Sequence, residues 1–255
     1  MPEWPVLWYF VFLFWEERGG RMEEKARQQI LTKKSILLLC CELAVFVSLL
    51  LYPAGRVIWL EGWIFIGIVF VNTFWISWWL YRNDPELLKE RLRFSIQKEQ
   101  PFWDKLLILL FIVAGLAWCI IAGLDAERFR FSILPPILKI LGAGLLQAGF
   151  LLQLRSFEAN RFLIAIVSYQ QKRGHKLVEH GPYRVIRHPF YTGMSLMMIG
   201  GALLLGSWMA QLISFLMIGL LMIRIQQEEK LLMQNLQGYR EYQQKTSFRL
   251  IPYLW

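Results

Sequence analysis

Six apolar runs, long enough or nearly long enough to cross a bilayer, constrain this chain more than anything else in it. They fall at about 36–52, 57–80, 106–124, 133–154, 189–206 and 208–223. A helix needs roughly 20 such residues to span the hydrocarbon, and backbone inside lipid must satisfy its own hydrogen bonds. The fold expected is therefore all-α, a polytopic membrane bundle of about six transmembrane helices. The last two runs are short and separated only by Gly206-Ser207, which predicts a tight helical hairpin. Composition points the same way: 56% of the 255 residues are hydrophobic and 18% charged, against roughly 45–50% and about 25% in soluble domains.

The formal net charge of +9 raises the question of nucleic acid, but its distribution answers differently. Segments 1–34, 81–105, 155–188 and 224–255 hold 6, 6, 7 and 5 of the 28 lysines and arginines. The opposite turns hold only Arg56, Arg128 and Arg130, with Lys139 inside a run. By the positive-inside rule both termini and the two long loops are cytoplasmic, next to anionic lipid, with no nucleic-acid partner expected. Cys40, Cys41 and Cys119 all sit in apolar runs, so they form neither a disulfide framework nor a zinc spacing, and core packing is expected of each.

Three regions follow. Residues 1–34 form an N-terminal cytoplasmic segment whose aromatic stretch 4–15 is too short to span and suits an interfacial anchor. Glu16-Glu17-Arg18-Gly19-Gly20 ahead of Met22 also permits a translated leader with Met22 as the true start. Residues 35–154 carry the first four spans and a charged connector, 82–105, in which Asp84-Pro85 is a good helix start. Leu87, Leu88 and Leu92 lie on one face of that helix, as suits a membrane-surface anchor or a lid over a lateral opening. Residues 155–255, with the hairpin 189–223, hold most of the polar chemistry.

In that last region Gly181-Pro182 makes a turn that Tyr183 can shelter, and His188-Pro189 starts a helix whose free N–H groups face the turn. Gly193 and Gly200-Gly201 permit close helix approach, expected within the hairpin. Arg224 and Glu228 lie four residues apart on one face of the sixth helix, at its cytoplasmic mouth. Glu229 is expected to serve local structure, pairing with Lys230 or Arg224. Asn72 and Gln147 suit interhelical hydrogen bonding, and Glu61 suits snorkelling to the outer interface.

The block 175–193, with Arg224, Glu228-Glu229 and the ending Gly238-Tyr239-x-x-Tyr242…Arg249-x-x-Pro252, resembles the isoprenylcysteine carboxyl methyltransferase family and its phospholipid N-methyltransferase relatives. The resemblance covers roughly 82–255 and is strongest from 158 onward. It implies S-adenosylmethionine as cofactor, held by Gln170, His175, Lys176, Leu177, Val178, Tyr183, His188, Pro189, Phe190, Tyr191 and Glu228. It further implies that Arg224 faces the methyl acceptor, so that Arg224 and Glu228 are the candidate catalytic residues.

The residue types suit the chemistry. A carboxylate and aromatic faces offset a sulfonium cation, and in-line methyl transfer depends on alignment and desolvation more than on acid–base help. A carboxylate acceptor is already ionised and needs orienting, which Arg224 supplies; an amine must be kept unprotonated. The expectation is an amphiphilic, lipid-like or prenylated acceptor that enters from the membrane, with carboxyl O-methylation favoured over phospholipid-type N-methylation. A sterol-reductase-like NADPH enzyme and a non-catalytic scaffold are the rivals.

Overall fold

The computed structural model describes residues 33–92, 100–164 and 176–255. Gln170, His175, the segment before Lys33 and the second half of the connector lie outside the described residues. The bundle consists of α1 (Lys33–Ala54), α2 (Leu60–Asn83), α3 (Pro85–Leu92), α4 (Phe102–Gly123), α5 (Pro136–Ala159), α6 (Pro189–Leu205), α7 (Trp208–Asn235) and α8 (Tyr239–Lys245). All the regular elements among the described residues are helical.

Four helices, α2, α4 with its π-helical extension to Arg128, α5 and α7, are long and apolar enough to cross a membrane; α1 and α6 are shorter apolar helices. At 1.5 Å per residue, the 17 residues of α6 reach about 26 Å, a little less than the hydrocarbon thickness. The 28 residues of α7 reach about 42 Å, so this helix runs past the apolar stretch 208–223 and carries Arg224, Glu228 and Glu229 as part of the same rod. Large apolar side chains such as Ile58, Val71, Leu109, Ile133 and Leu212 are exposed around the bundle, a surface that suits lipid.

The α6–α7 hairpin turns through Gly206, at φ 83°, and Ser207. Ser207 Oγ accepts from Ala210 N at 2.9 Å, capping α7, and donates to Asp125 Oδ2 at 2.6 Å. Asp125, 1% exposed in the π-helical turn after α4, also accepts from Ser132 Oγ at 2.7 Å. One buried carboxylate thus pins the hairpin turn to the end of α4. Asn72 and Gln147 exchange two amide hydrogen bonds of 2.9 Å between α2 and α5. Glu61 is paired with Lys139 Nζ at 2.6 Å rather than simply snorkelling. Cys119 is buried, whereas Cys41 is exposed on α1 and lies outside the core.

The glycines make close approaches, but to a different partner from the one expected. Gly193 and Gly200 of α6 pack on Gly149 and Gly142 of α5, not on the hairpin partner α7. A Cβ on Gly149 would lie 2.6 Å from the Gly193 carbonyl, and one on Gly142 would lie 2.7 Å from that of Gly200. Each helix therefore shows the other two bare backbone patches seven residues apart, which lets the antiparallel pair close to van der Waals contact. Gly201 instead faces Phe65 and Trp118. Gly149→Ala is expected to lower the melting temperature in detergent, by an overpacking cost of about 1–3 kcal/mol. Gly144→Ala, where a Cβ meets nothing within 4 Å, should leave it unchanged.

Candidate functional site

Asp84 accepts from Leu87 N at 3.0 Å and caps α3, which then buries Leu87 and Leu88 completely. This seating brings Arg91 beside the end of α5 and the start of α6. Arg91 Nη1 donates to the Leu163 carbonyl at 2.8 Å, and its guanidinium lies 4.6 Å from the Phe157 ring and 5.1 Å from the Phe190 ring. Burial, with the like charge of Arg224 behind it, lowers the Arg91 pKa to about 10, so the group is still cationic at neutral pH.

Tyr191 Oη donates to Glu228 Oε2 at 2.7 Å, joining the first turn of α6 to α7. One turn earlier, Arg224 Nε donates to Asp104 Oδ1 at 2.9 Å. Asp104 is fully buried at the start of α4 and also accepts from Gln100 Nε2. The Arg224 guanidinium lies 5.9 Å from the Tyr191 ring.

Glu229, next in the chain to Glu228, points to the other side of α7 and is 2% exposed. It accepts from Arg187 Nε at 2.6 Å and Arg249 Nε at 2.9 Å, and lies 3.2 Å from His188 Nε2. The sequence reading paired it with Lys230 or Arg224; its partners are instead the turn before α6 and the C-terminal tail. That tail is held along its backbone too: Arg187 N and His188 N donate to the Phe248 and Arg249 carbonyls at 2.9 Å each. Tyr242 Oη donates to the Tyr183 carbonyl at 2.7 Å, and Thr192 Oγ1 to that of Leu250 at 2.8 Å. Burial raises the phenol pKa of Tyr183, Tyr239 and Tyr242, so all three stay neutral.

These elements enclose a cavity of about 550 Å³, within the usual range for small-molecule sites. Of the residues singled out in the sequence, Lys176, Leu177, Val178, Tyr183, His188, Phe190, Tyr191, Arg224 and Glu228 all line it. Pro189 does not; it occupies the first position of α6 and sets where that helix begins. The cavity has a polar end bounded by Lys176, His188, Tyr191 and Glu228, and an apolar arm bounded by Val69, Phe150, Met194, Met197, Met198 and Met217.

Residues 137–240 match the family model described as phospholipid methyltransferase. The matched stretch runs from the first turn of α5 to the start of α8 and contains every cavity-lining residue except Val69, Thr73, Arg91 and Tyr242. It supports a membrane methyltransferase, and a methyltransferase of this type implies S-adenosylmethionine as methyl donor. No curated protein matches the chain.

Sequence reasoning missed Arg91, Asp104, Gln100 and the cavity-lining Gln153 and Thr73. Arg91 was one of six basic residues in the connector with nothing to single it out. Asp104 did carry a signal, since an acidic residue immediately before an apolar run needs a partner. Only packing could show that the partner is Arg224.

Proposed function

We propose that the chain is an integral membrane S-adenosylmethionine-dependent methyltransferase acting on an amphiphilic acceptor with an anionic group, most simply by carboxyl O-methylation. The observation that supports this reading most directly is the cavity itself. Its polar end presents Glu228, Tyr191 and His188 together, and it continues without interruption into an apolar arm among the membrane helices. The donor set fits the cofactor: a carboxylate and aromatic faces suit a sulfonium cation, and Lys176, Tyr183 and His188 offer polar contacts for an amino acid or ribose. When bound, S-adenosylmethionine supplies an electrophilic methyl group. By the positive-inside reading, the polar end faces the cytoplasm, where that cofactor is dissolved.

The chain's own residues account for the rest. The cavity wall carries Arg91, Lys176, Arg187 and Arg224, of which Arg187 is held by Glu229, whereas Glu228 is the wall's single acidic residue among the described ones. Asp104 holds the Nε edge of Arg224 from behind and thereby fixes the plane of the guanidinium. An anionic oxygen placed between Arg91 and Arg224 would be oriented without any proton transfer, and S-adenosylmethionine held at the polar end would supply the methyl group to it. The surrounding Met, Phe and Leu side chains exclude water from that step. The match to phospholipid methyltransferases supports a second reading, in which the two arginines hold a lipid phosphate and a nearby amine receives the methyl group.

The two readings leave different products. Membranes containing the protein are incubated with methyl-labelled S-adenosylmethionine, and the labelled lipid-phase product is treated with mild base. Release of volatile methanol is the expected result and identifies a methyl ester. A base-stable label identifies N-methylation, and no label transfer overturns the methyltransferase reading.

A further inference from the structure

The apolar arm of the cavity is not wholly apolar. Gln153 of α5 and Thr73 of α2 both line it, at 6% and 8% exposure. Other buried polar side chains at this depth are satisfied: Asn72 pairs with Gln147, Ser156 Oγ donates to the Leu152 carbonyl at 2.7 Å, and Trp118 Nε1 donates to Ser214 Oγ at 2.9 Å. The Gln153 amide and the Thr73 hydroxyl have no hydrogen-bond partner among the described residues. They also differ from Ser77, whose unpartnered Oγ is sealed off. The polar atoms of Gln153 and Thr73 keep accessible surface, and the surface open to them is the cavity.

Gln153 is held in this orientation by a missing side chain. A Cβ on Gly193 would lie 3.0 Å from Gln153 Cγ, so the glycine opens the room in which the amide stem lies. Gln153 stands six residues, or about 9 Å, from the cytoplasmic end of α5. Thr73 stands ten residues, or about 15 Å, from the corresponding end of α2. Both therefore stand within their helices rather than at the ends.

An unsubstituted hydrocarbon chain in this arm would leave an amide and a hydroxyl dry and unpaired, which is unfavourable. An oxygen in the chain would relieve both. Gln153 supplies N–H donors and Thr73 an O–H donor, and a carbonyl oxygen has two lone pairs to receive them. We infer that Gln153 and Thr73 form a hydrogen-bonding subsite for a carbonyl oxygen of an acyl-linked amphiphile. The subsite selects an oxygenated chain over a plain alkyl or prenyl one. This rests on the proposed function only in taking the polar end as the place of the headgroup.

The test compares two tritiated lipids that differ by this oxygen alone. These are 1-palmitoyl-lysophosphatidylethanolamine, with its ester carbonyl, and its 1-hexadecyl ether counterpart. Equilibrium binding to the purified full-length protein is expected to favour the ester by about tenfold, near the lower range for stranding buried hydrogen-bonding groups. Gln153→Leu combined with Thr73→Val should abolish that preference by weakening ester binding, while ether binding and S-adenosylmethionine affinity are retained. Equal affinities in the unmodified protein, binding of neither lipid, or a preference that survives in the double variant would each overturn the subsite. The comparison in the unmodified protein stands even if the variant does not fold. Loss of the methyltransferase reading would show separately, as absent S-adenosylmethionine binding, and the ester–ether comparison would still decide the subsite.

Discussion

Glu229→Ala is expected to be the most destabilising single substitution in the C-terminal half of the chain. The carboxylate is almost fully buried and takes hydrogen bonds from Arg187 on one oxygen and Arg249 on the other, with His188 3.2 Å from the first. Its removal leaves the Arg187 guanidinium, itself 7% exposed, without its counter-charge. Breaking a buried pair from one side typically costs about 3–5 kcal/mol, because the desolvated partner charge remains. Arg187 keeps the Thr246 and Ser247 carbonyls, at 2.6 and 2.8 Å, but these are dipoles and do not replace a full charge. Thermal unfolding in detergent should therefore shift strongly downward, and the C-terminal tail should become the first site of proteolytic cleavage. Glu229→Gln should recover part of the loss, since an amide oxygen still accepts hydrogen bonds. A melting temperature unchanged by Glu229→Ala would show that the tail is not held by this carboxylate.

The neighbouring substitution Glu228→Gln should behave in the opposite way. Glu228 faces the cavity and is bonded by Tyr191 Oη at 2.7 Å, a contact that an amide oxygen can keep. The fold should therefore survive with little change in melting temperature. What is lost is a negative charge at the polar end of the cavity, whose wall otherwise carries the basic residues Arg91, Lys176, Arg187 and Arg224. A cationic sulfonium ligand loses its counter-charge in a water-poor site, where a charged interaction is worth more than in solution. Affinity for S-adenosylmethionine is expected to fall by about a hundredfold or more, at roughly 1.4 kcal/mol per tenfold. Affinity for the uncharged thioether product, S-adenosylhomocysteine, should fall less. Equal losses for the two ligands would mean that Glu228 contacts another part of the cofactor, and unchanged affinity for both would remove it from the site. Two adjacent glutamates on one helix would then separate binding from folding, because successive helical residues face about 100° apart.

Much of this molecule was legible in one dimension. The bundle and its six apolar helices follow from run length, because lipid forces each segment to complete its own backbone hydrogen bonds. The cap at Asp84, the turn at Gly206-Ser207 and the start of α6 at His188-Pro189 are local, and their residues announce them. The candidate site could also be approached from sequence, because its polar residues are packed into two short stretches that flank the last hairpin. Nine residues singled out in those stretches, six of them polar, meet at one cavity.

Relations between distant segments were not legible, because no local rule encodes them. That Gly142 and Gly149 would meet Gly200 and Gly193 depends on which helices lie side by side, and the hairpin suggested the wrong neighbour. That Glu229 would hold Arg187 and Arg249, and that Asp104 would hold Arg224 across 120 residues of chain, depends on which face of α7 each carboxylate and guanidinium occupies. Gln153 and Thr73 look from sequence like two more polar residues inside membrane helices, of the kind that glue helices together. Only the packed structure shows them turned away from protein partners and toward a cavity, since apolar length sets where a helix begins and ends, and packing alone sets what its faces meet.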